Sequence, residues 1–198
     1  KRSFRPQQPD AILNALRNDD SIVLLPTGAG KSIIYQLAGL LMPGVTLVVD
    51  PIIALIEDQV EGLAEYGIDK AIPITSSSQN EREERKLIQA GIERGEYHFV
   101  LLSPERLQSP EFRDTLRTLS QTSIINMAVI DEAHCVSEWG HDFRPAYLNL
   151  GRNLRRFGAD KSGTPPPLLA LTGTASRAVL KDVLTELNID RTKSDILV

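Results

Sequence analysis

Two segments of this sequence carry residues whose types and spacing suit phosphate chemistry. The first runs Ile22-Val23-Leu24-Leu25-Pro26-Thr27-Gly28-Ala29-Gly30-Lys31-Ser32: an apolar strand pattern, a glycine turn, then the start of an amphipathic stretch. Gly28 and Gly30 let the backbone turn its N–H groups inward around phosphate oxygens, beside a positive helix N-terminus. Thr27, Gly28, Ala29 and Gly30 then form the cradle, Lys31 reaches the β- and γ-phosphates, and the Ser32 hydroxyl is a ligand for Mg2+. The general pattern GxxxxGK[ST] has its first glycine where this chain has Leu25, so the motif is partial. A glycine-rich connection with a merely solvated lysine is the plain alternative. The TGAGKS core between a strand and a helix pattern favours phosphate.

The second segment supplies acids. The apolar run Ile124–Ile130 delivers Asp131 and Glu132 at its carboxyl end, where open α/β sheets bind ligands. Alone, such a pair is more often a solvated helix start. With a phosphate loop upstream, Asp131 is assigned to Mg2+, directly or through water, and Glu132 to orienting and deprotonating an attacking water. The reaction implied is hydrolysis of a nucleoside triphosphate. Directly after come the only Trp, the only Cys and two of the three His of the chain. Aromatics make up 5% of residues, yet Trp139, Phe143 and Tyr147 fall close together. Trp139, between Glu138 and Gly140, suits an exposed loop, whereas Tyr147, four residues after Phe143, suits a core-facing helix. His134, Cys135 and His141 lack the spacing of a structural zinc site, so no zinc is expected and Cys135 reads as a reduced, partly buried thiol.

Elements must position these groups. Candidate strands are Ser21–Leu25, Val45–Asp50, Ala71–Ile74, His98–Leu102, Ile124–Asp131 and Leu168–Thr172, several apolar almost throughout, as in a parallel sheet covered on both faces. Helical patterns lie near Gln7–Arg17, Ser32–Leu41, Ile52–Tyr66, Asn80–Arg94, Glu111–Leu119, Tyr147–Phe157 and Ser176–Leu187. Asp50-Pro51, Ser103-Pro104 and Ser109-Pro110 each read as an N-cap oxygen before a proline at the first helical position. The expectation is one α/β domain with a mostly parallel sheet and helices on both faces.

With 198 residues, 41% hydrophobic and 24% charged, the composition is that of an ordinary globular domain. No apolar run reaches the roughly 18 residues of a membrane span, and no signal peptide is visible. A single cysteine excludes an internal disulfide, so an intracellular reducing compartment is expected, cytoplasm or nucleoid, or nucleus. The net charge of −4 requires any nucleic acid to meet a local basic surface. Arg152, Arg155 and Arg156 share a helix face with Lys161 beyond; a solvated face is preferred over a phosphate track. A start at Lys1 and an end in the apolar run Asp195-Ile196-Leu197-Val198 suggest a domain cut from something longer.

DEAH at 131–134 together with TGAGKS resembles superfamily 2 helicases, and Cys135–Tyr147 resembles the aromatic-rich loop CVSxWGHDFRPxY of the RecQ family. Phe4-Arg5-Pro6-Gln7-Gln8 is similar to that family's adenine-reading FRxxQ motif, and Leu47–Val60 to motif Ia. Leu102–Leu107 is similar to its PERL segment, and Ala170–Ala175 to motif III. The resemblance implies a RecA-like P-loop NTPase domain over residues 1–198, the first motor lobe of an ATP-dependent 3′→5′ DNA helicase. It implies that Gln8 pairs with adenine and Arg5 packs over it. Trp139 and Phe143 would stack on single-stranded DNA, with Arg144 to phosphate or to the ATP side. His134, His141, Thr172 and Thr174 would couple the loop, the nucleotide and motif III, and Arg106 would contact the DNA backbone. A second lobe would supply an arginine finger, so this lobe alone is expected to hydrolyse ATP weakly. Two rivals stay open: an RNA-directed ATPase, and a nucleotide-gated binding module without hydrolysis.

Overall fold

The computed structural model describes residues 3–26, 28–75, 82–137, 144–173, 176–190 and 195–197. Among the described residues, short apolar runs form seven strands: β1 Ser21–Leu24, β2 Val45–Val49, β3 Ala71–Ile74, β4 Phe99–Leu102, β5 Ile125–Ile130, β6 Leu168–Thr172 and β7 Asp195–Leu197. They pair in the order β3-β4-β2-β5-β6-β1-β7, every pair parallel. The α-helices of the described residues are α1 Gln8–Leu16, α2 Ser32–Leu41, α3 Ile53–Glu65, α4 Arg82–Glu93, α5 Pro110–Thr122, α6 Leu150–Gly158 and α7 Arg177–Glu186.

Alternation along the strands explains the two layers of helices. Val45, Leu47 and Val49 of β2 face one core, which α5, α6 and α7 complete with Phe112, Leu116, Leu154, Phe157, Val183 and Leu184. Val48, with Met127 and Val129 of β5, faces a second core closed by Ala11, Ile34, Tyr35 and Ile56 of α1, α2 and α3. Because the central strands are buried on both faces, polar groups emerge only at their ends. In register, Val49 stands beside Ile130, Ile130 beside Ala170, and Leu24 beside Thr172. The carboxyl ends of β2, β5, β6 and β1 therefore form one continuous edge.

Several local expectations are corrected. β7 is a real strand on β1, where the sequence showed only an apolar run. Of the three acid-or-serine–proline pairs, only Ser109-Pro110 caps an α-helix, its hydroxyl accepting from Phe112 N. Ser103-Pro104 opens a 3-10 turn, Pro104–Gln108. Asp50 caps a turn rather than a helix: its carboxylate accepts from Ile52 N at 2.8 Å, and α3 begins only at Ile53. Tyr147 lies in a 3-10 turn, and Asn149, at φ 61°, separates it from α6. Phe143, its expected helical partner, lies outside the described residues, as do Asn80 and Glu81, the expected start of α4.

Candidate active site

The glycine turn after β1 is built from the strand outward. Leu25 N donates to Thr172 O at 3.0 Å, which extends the β1–β6 ladder by one residue, and the Leu25 side chain is buried. That packing gives a physical reason for leucine where the general motif has glycine. Gly28 and Gly30 take φ of 75° and 79°, the left-handed region that glycine enters without penalty. A Cβ on Gly30 would stand 2.7 Å from Gln8 Nε2. The backbone is thus kept bare where phosphate oxygens must approach.

Gln8 and Arg5 belong to the same site. Gln8 is buried; its amide nitrogen donates to Ala29 O and Gly30 O at 2.9 and 3.1 Å, and its oxygen accepts from Arg5 N at 2.9 Å. Arg5 Nη1 donates to Gly28 O. In this state both residues hold the glycine turn, so the groups assigned to adenine are also struts of the phosphate loop.

Lys31 crosses the edge to the acids. Its ammonium lies 3.0 Å from Glu132 Oε1 and 3.8 Å from Asp131 Oδ1. On the far side, His134 Nδ1 lies 3.3 Å from Glu132 Oε2 and 3.0 Å from Thr172 Oγ1. A chain of polar contacts therefore runs Lys31–Glu132–His134–Thr172, from the loop after β1 to the end of β6. Glu132 is held well down, to about 2, first by its bond with His134 and then by Lys31. His134 is pushed up to about 10 by hydrogen bonds to Cys135 and to Glu132. Burial raises Asp131, against the pull of Lys31.

Glu132 sits at φ 47°, ψ 46°, a left-handed conformation costing a non-glycine residue about 1–3 kcal/mol. Its N–H donates to Asp131 Oδ1 at 2.9 Å, and its carbonyl accepts from Cys135 N at 2.9 Å. This kink lets two consecutive acids serve one site: Asp131 continues β5 and Glu132 swings to Lys31. The segment after them is anchored at both described ends. Ser137 Oγ donates to Asp182 Oδ2 at 2.7 Å, and Arg144 Nη1 donates to Pro51 O at 2.7 Å. Arg144 thus reaches the turn after β2, where a phosphate or the ATP side was expected.

Thr27, Trp139, His141, Phe143 and Thr174 lie outside the described residues. Ser32 opens α2 directly after Lys31. Arg106 is set apart in the Pro104–Gln108 turn, its guanidinium 5.9 Å from the centroid of the Phe112 ring. Arg155 pairs with Asp20 at 2.6 Å and donates to Leu187 O and Asn188 O, a structural clamp where a solvated face was expected. Tyr147 is core, as expected, but its hydroxyl also donates to Asp131 O at 3.1 Å. The residue missed from sequence is Asp50, buried beside Asp131 and pushed up to about 6, chiefly by burial. An acid at the carboxyl end of an apolar strand was its signal.

The arrangement suits a magnesium nucleotide. A hydroxyl on Ser32 and a carboxylate on Asp131 are hard oxygen donors of the kind Mg2+ prefers. The approach of Lys31 shows that Asp131 faces the loop.

Comparison with known proteins bears on the family and the fold. A family model described as DEAD/DEAH box helicase matches residues 5–183. The Bacillus subtilis (strain 168) protein named "Probable ATP-dependent DNA helicase RecS" is 43% identical over 187 residues, covering 94% of this chain and 35% of the relative. The ATP-dependent DNA helicase RecQ of the same organism is 39% identical over 189 residues, covering 95% of this chain and 30% of the relative. The chain thus spans about a third of the length of these relatives. In fold, the crystal structure of the Pyrococcus furiosus Hef helicase domain superposes with a TM-score of 0.70 at 18% identity, covering 97% of this chain and 38% of that one.

Proposed function

The chain belongs to the DEAD/DEAH box helicase family, and from that premise we propose that it is the ATP-binding motor lobe of a RecQ-like DNA helicase. The observation that carries the reading is the contact chain Lys31–Glu132–His134–Thr172, which ties the phosphate loop, the acid pair and the end of β6 into one unit.

Its chemistry follows from the charges. Glu132 lies between Lys31 and His134, and a carboxylate held near 2 is a poor proton acceptor at neutral pH. ATP gives Lys31 a stronger anionic partner, the β- and γ-phosphates. Glu132 then loses one of the two cations that depress it and becomes a better base. Water attacks the γ-phosphorus, the bond to the β–γ bridging oxygen breaks, and Glu132 takes the proton. Mg2+, held by Ser32 and Asp131, supplies charge neutralisation on the phosphates when bound. Gln8 and Arg5 report the base through their hold on the glycine turn. His134 relays the state of Glu132 to Thr172 and motif III.

DNA enters through the segment bracketed by Ser137 and Arg144. Trp139 and Phe143 are the stacking residues, worth about 1–3 kcal/mol per base, Arg106 contacts the DNA backbone, and His141 and Thr174 couple the loop to the nucleotide and motif III. An arginine from a second motor lobe supplies the remaining transition-state charge, an effect of about 10³–10⁵ in rate in related phosphoryl transfers.

The test pairs a variant with a ligand comparison, with the second lobe present. Glu132→Gln should lower ATP turnover by about 10²–10⁴-fold, the usual contribution of a general base, while nucleotide binding persists. Single-stranded DNA should stimulate turnover more than RNA of the same sequence, and Trp139, the only tryptophan, should report DNA binding by its emission. Stronger stimulation by RNA would establish an RNA-directed ATPase instead. Background turnover in both the unmodified protein and Glu132→Gln would establish a binding module, and robust turnover unchanged in the variant would place the general base elsewhere.

A further inference from the structure

The chemistry proposed above leaves one buried acid unused. Asp50 follows β2 directly and is 0% exposed. Val49 stands beside Ile130, so Asp50 and Asp131 are the next residues out on adjacent parallel strands, and Asp131 N donates to Val49 O at 2.9 Å. One Asp50 oxygen accepts from Ile52 N at 2.8 Å; the other accepts from Gln59 Nε2 at 3.2 Å. These donors lie just before α3 and two turns into it. No side chain caps α3 at Ile52, and this carboxylate tethers the helix start to the sheet edge.

The same turn is gripped from the other side. Arg144, closing segment 138–143, donates to Pro51 O at 2.7 Å. Three residues on, Tyr147 donates to Asp131 O at 3.1 Å. Tyr35, one turn beyond Lys31 on α2, buries a hydroxyl that feels the charges of both Asp131 and Asp50. Residues 50–52 are therefore the joint where the acid of β5, the start of α3 and the end of the aromatic segment meet. A serine there would satisfy Ile52 N alone; a carboxylate has acceptors enough for Ile52 and Gln59 together. Beyond the joint, Ile52, just before α3, and Leu55, in its first turn, are exposed apolar side chains.

We propose that Asp50 is a positioning residue that couples nucleic-acid engagement at α3 and Arg144 to the acid pair on β5, by fixing the Asp50-Pro51-Ile52 turn against Asp131. The inference rests on reading the chain as a nucleic-acid-stimulated ATPase.

The test measures ATP turnover with and without single-stranded DNA, second lobe present, for the unmodified protein, Asp50→Ala, Asp50→Asn and Gln59→Ala. Asp50→Ala should lower the ratio of stimulated to unstimulated turnover by about 10- to 100-fold, the scale of a small misplacement remote from the chemistry. The ATP concentration at half-maximal rate should stay put. Asp50→Asn should restore most of the ratio, because its amide oxygen still accepts from Ile52 N and its nitrogen meets a flipped Gln59 amide. Gln59→Ala should lower the ratio in part, and it carries the test if Asp50→Ala fails to fold. An unchanged ratio in both Asp50→Ala and Gln59→Ala overturns the proposal. So does a loss of stimulated and unstimulated turnover in equal proportion, which marks a role in the fold or the nucleotide site. If the unmodified protein shows no stimulation, the parent reading has failed, and that is visible before any variant is compared.

Discussion

Glu132 illustrates how much one residue is asked to do. It follows the strand that ends at Ile130, turns into the left-handed region, accepts from Lys31 and faces His134. Asp50, one strand over, is the opposite case: an acid whose burial costs free energy. With its carboxyl pushed up to about 6 when folded and near 4 when unfolded, the folded state binds the extra proton between those values. Stability from this group therefore falls as pH rises from about 4 to about 6, and the penalty persists above that window at up to about 3 kcal/mol. Asp50→Asn should raise the stability of the ligand-free protein by about 1–3 kcal/mol at pH 7.5. The gain should fade towards pH 4. Urea denaturation across pH measures it, and a pH-independent gain would show that the penalty is not electrostatic.

At the scale of elements, α2 sets the site because it carries Lys31 and Ser32 at its start. Gly39 lets it sit close: a Cβ there would meet Thr46 Oγ1 and stand 2.9 Å from Phe99 Cε1. Gly39→Ala should cost about 1–3 kcal/mol by overpacking, lowering the denaturation midpoint and, by tilting α2, weakening nucleotide binding. Strands were legible in the sequence because burial on both faces writes an apolar run, and all six expected strands appear. The glycine loop and the acids were legible because each follows such a run. What was not legible depends on partners far away in sequence. Asp50 caps a turn while Ser109 caps a helix, yet both precede proline; the difference lies in Gln59 and in the neighbouring β5. Likewise, Arg144 finds Pro51 across 93 residues, a pairing that no local pattern announces. The roles of Arg5 and Gln8 as struts needed the path of the loop itself.

Across the whole molecule, the two sheet edges differ. β3 is an edge strand carrying Pro73, which blunts lateral pairing. The other edge is β7, which covers β1. Deleting residues 191–198 should bare the β1 ladder, lower the unfolding temperature and promote aggregation, as read by light scattering during a thermal ramp; an unaltered profile would show that β7 adds nothing to the edge. The position of β1 between β6 and β7 has a further consequence during synthesis. Of the strands in this sheet, the one bearing the phosphate loop is made before the others, but its two neighbours, β6 and β7, are made after them. β2, β4, β3 and β5 can assemble while β1 still waits, held only by the helices beside it. A nascent chain of this protein therefore gains its grip on ATP late, and nucleotide can stabilise only molecules whose translation has passed β6.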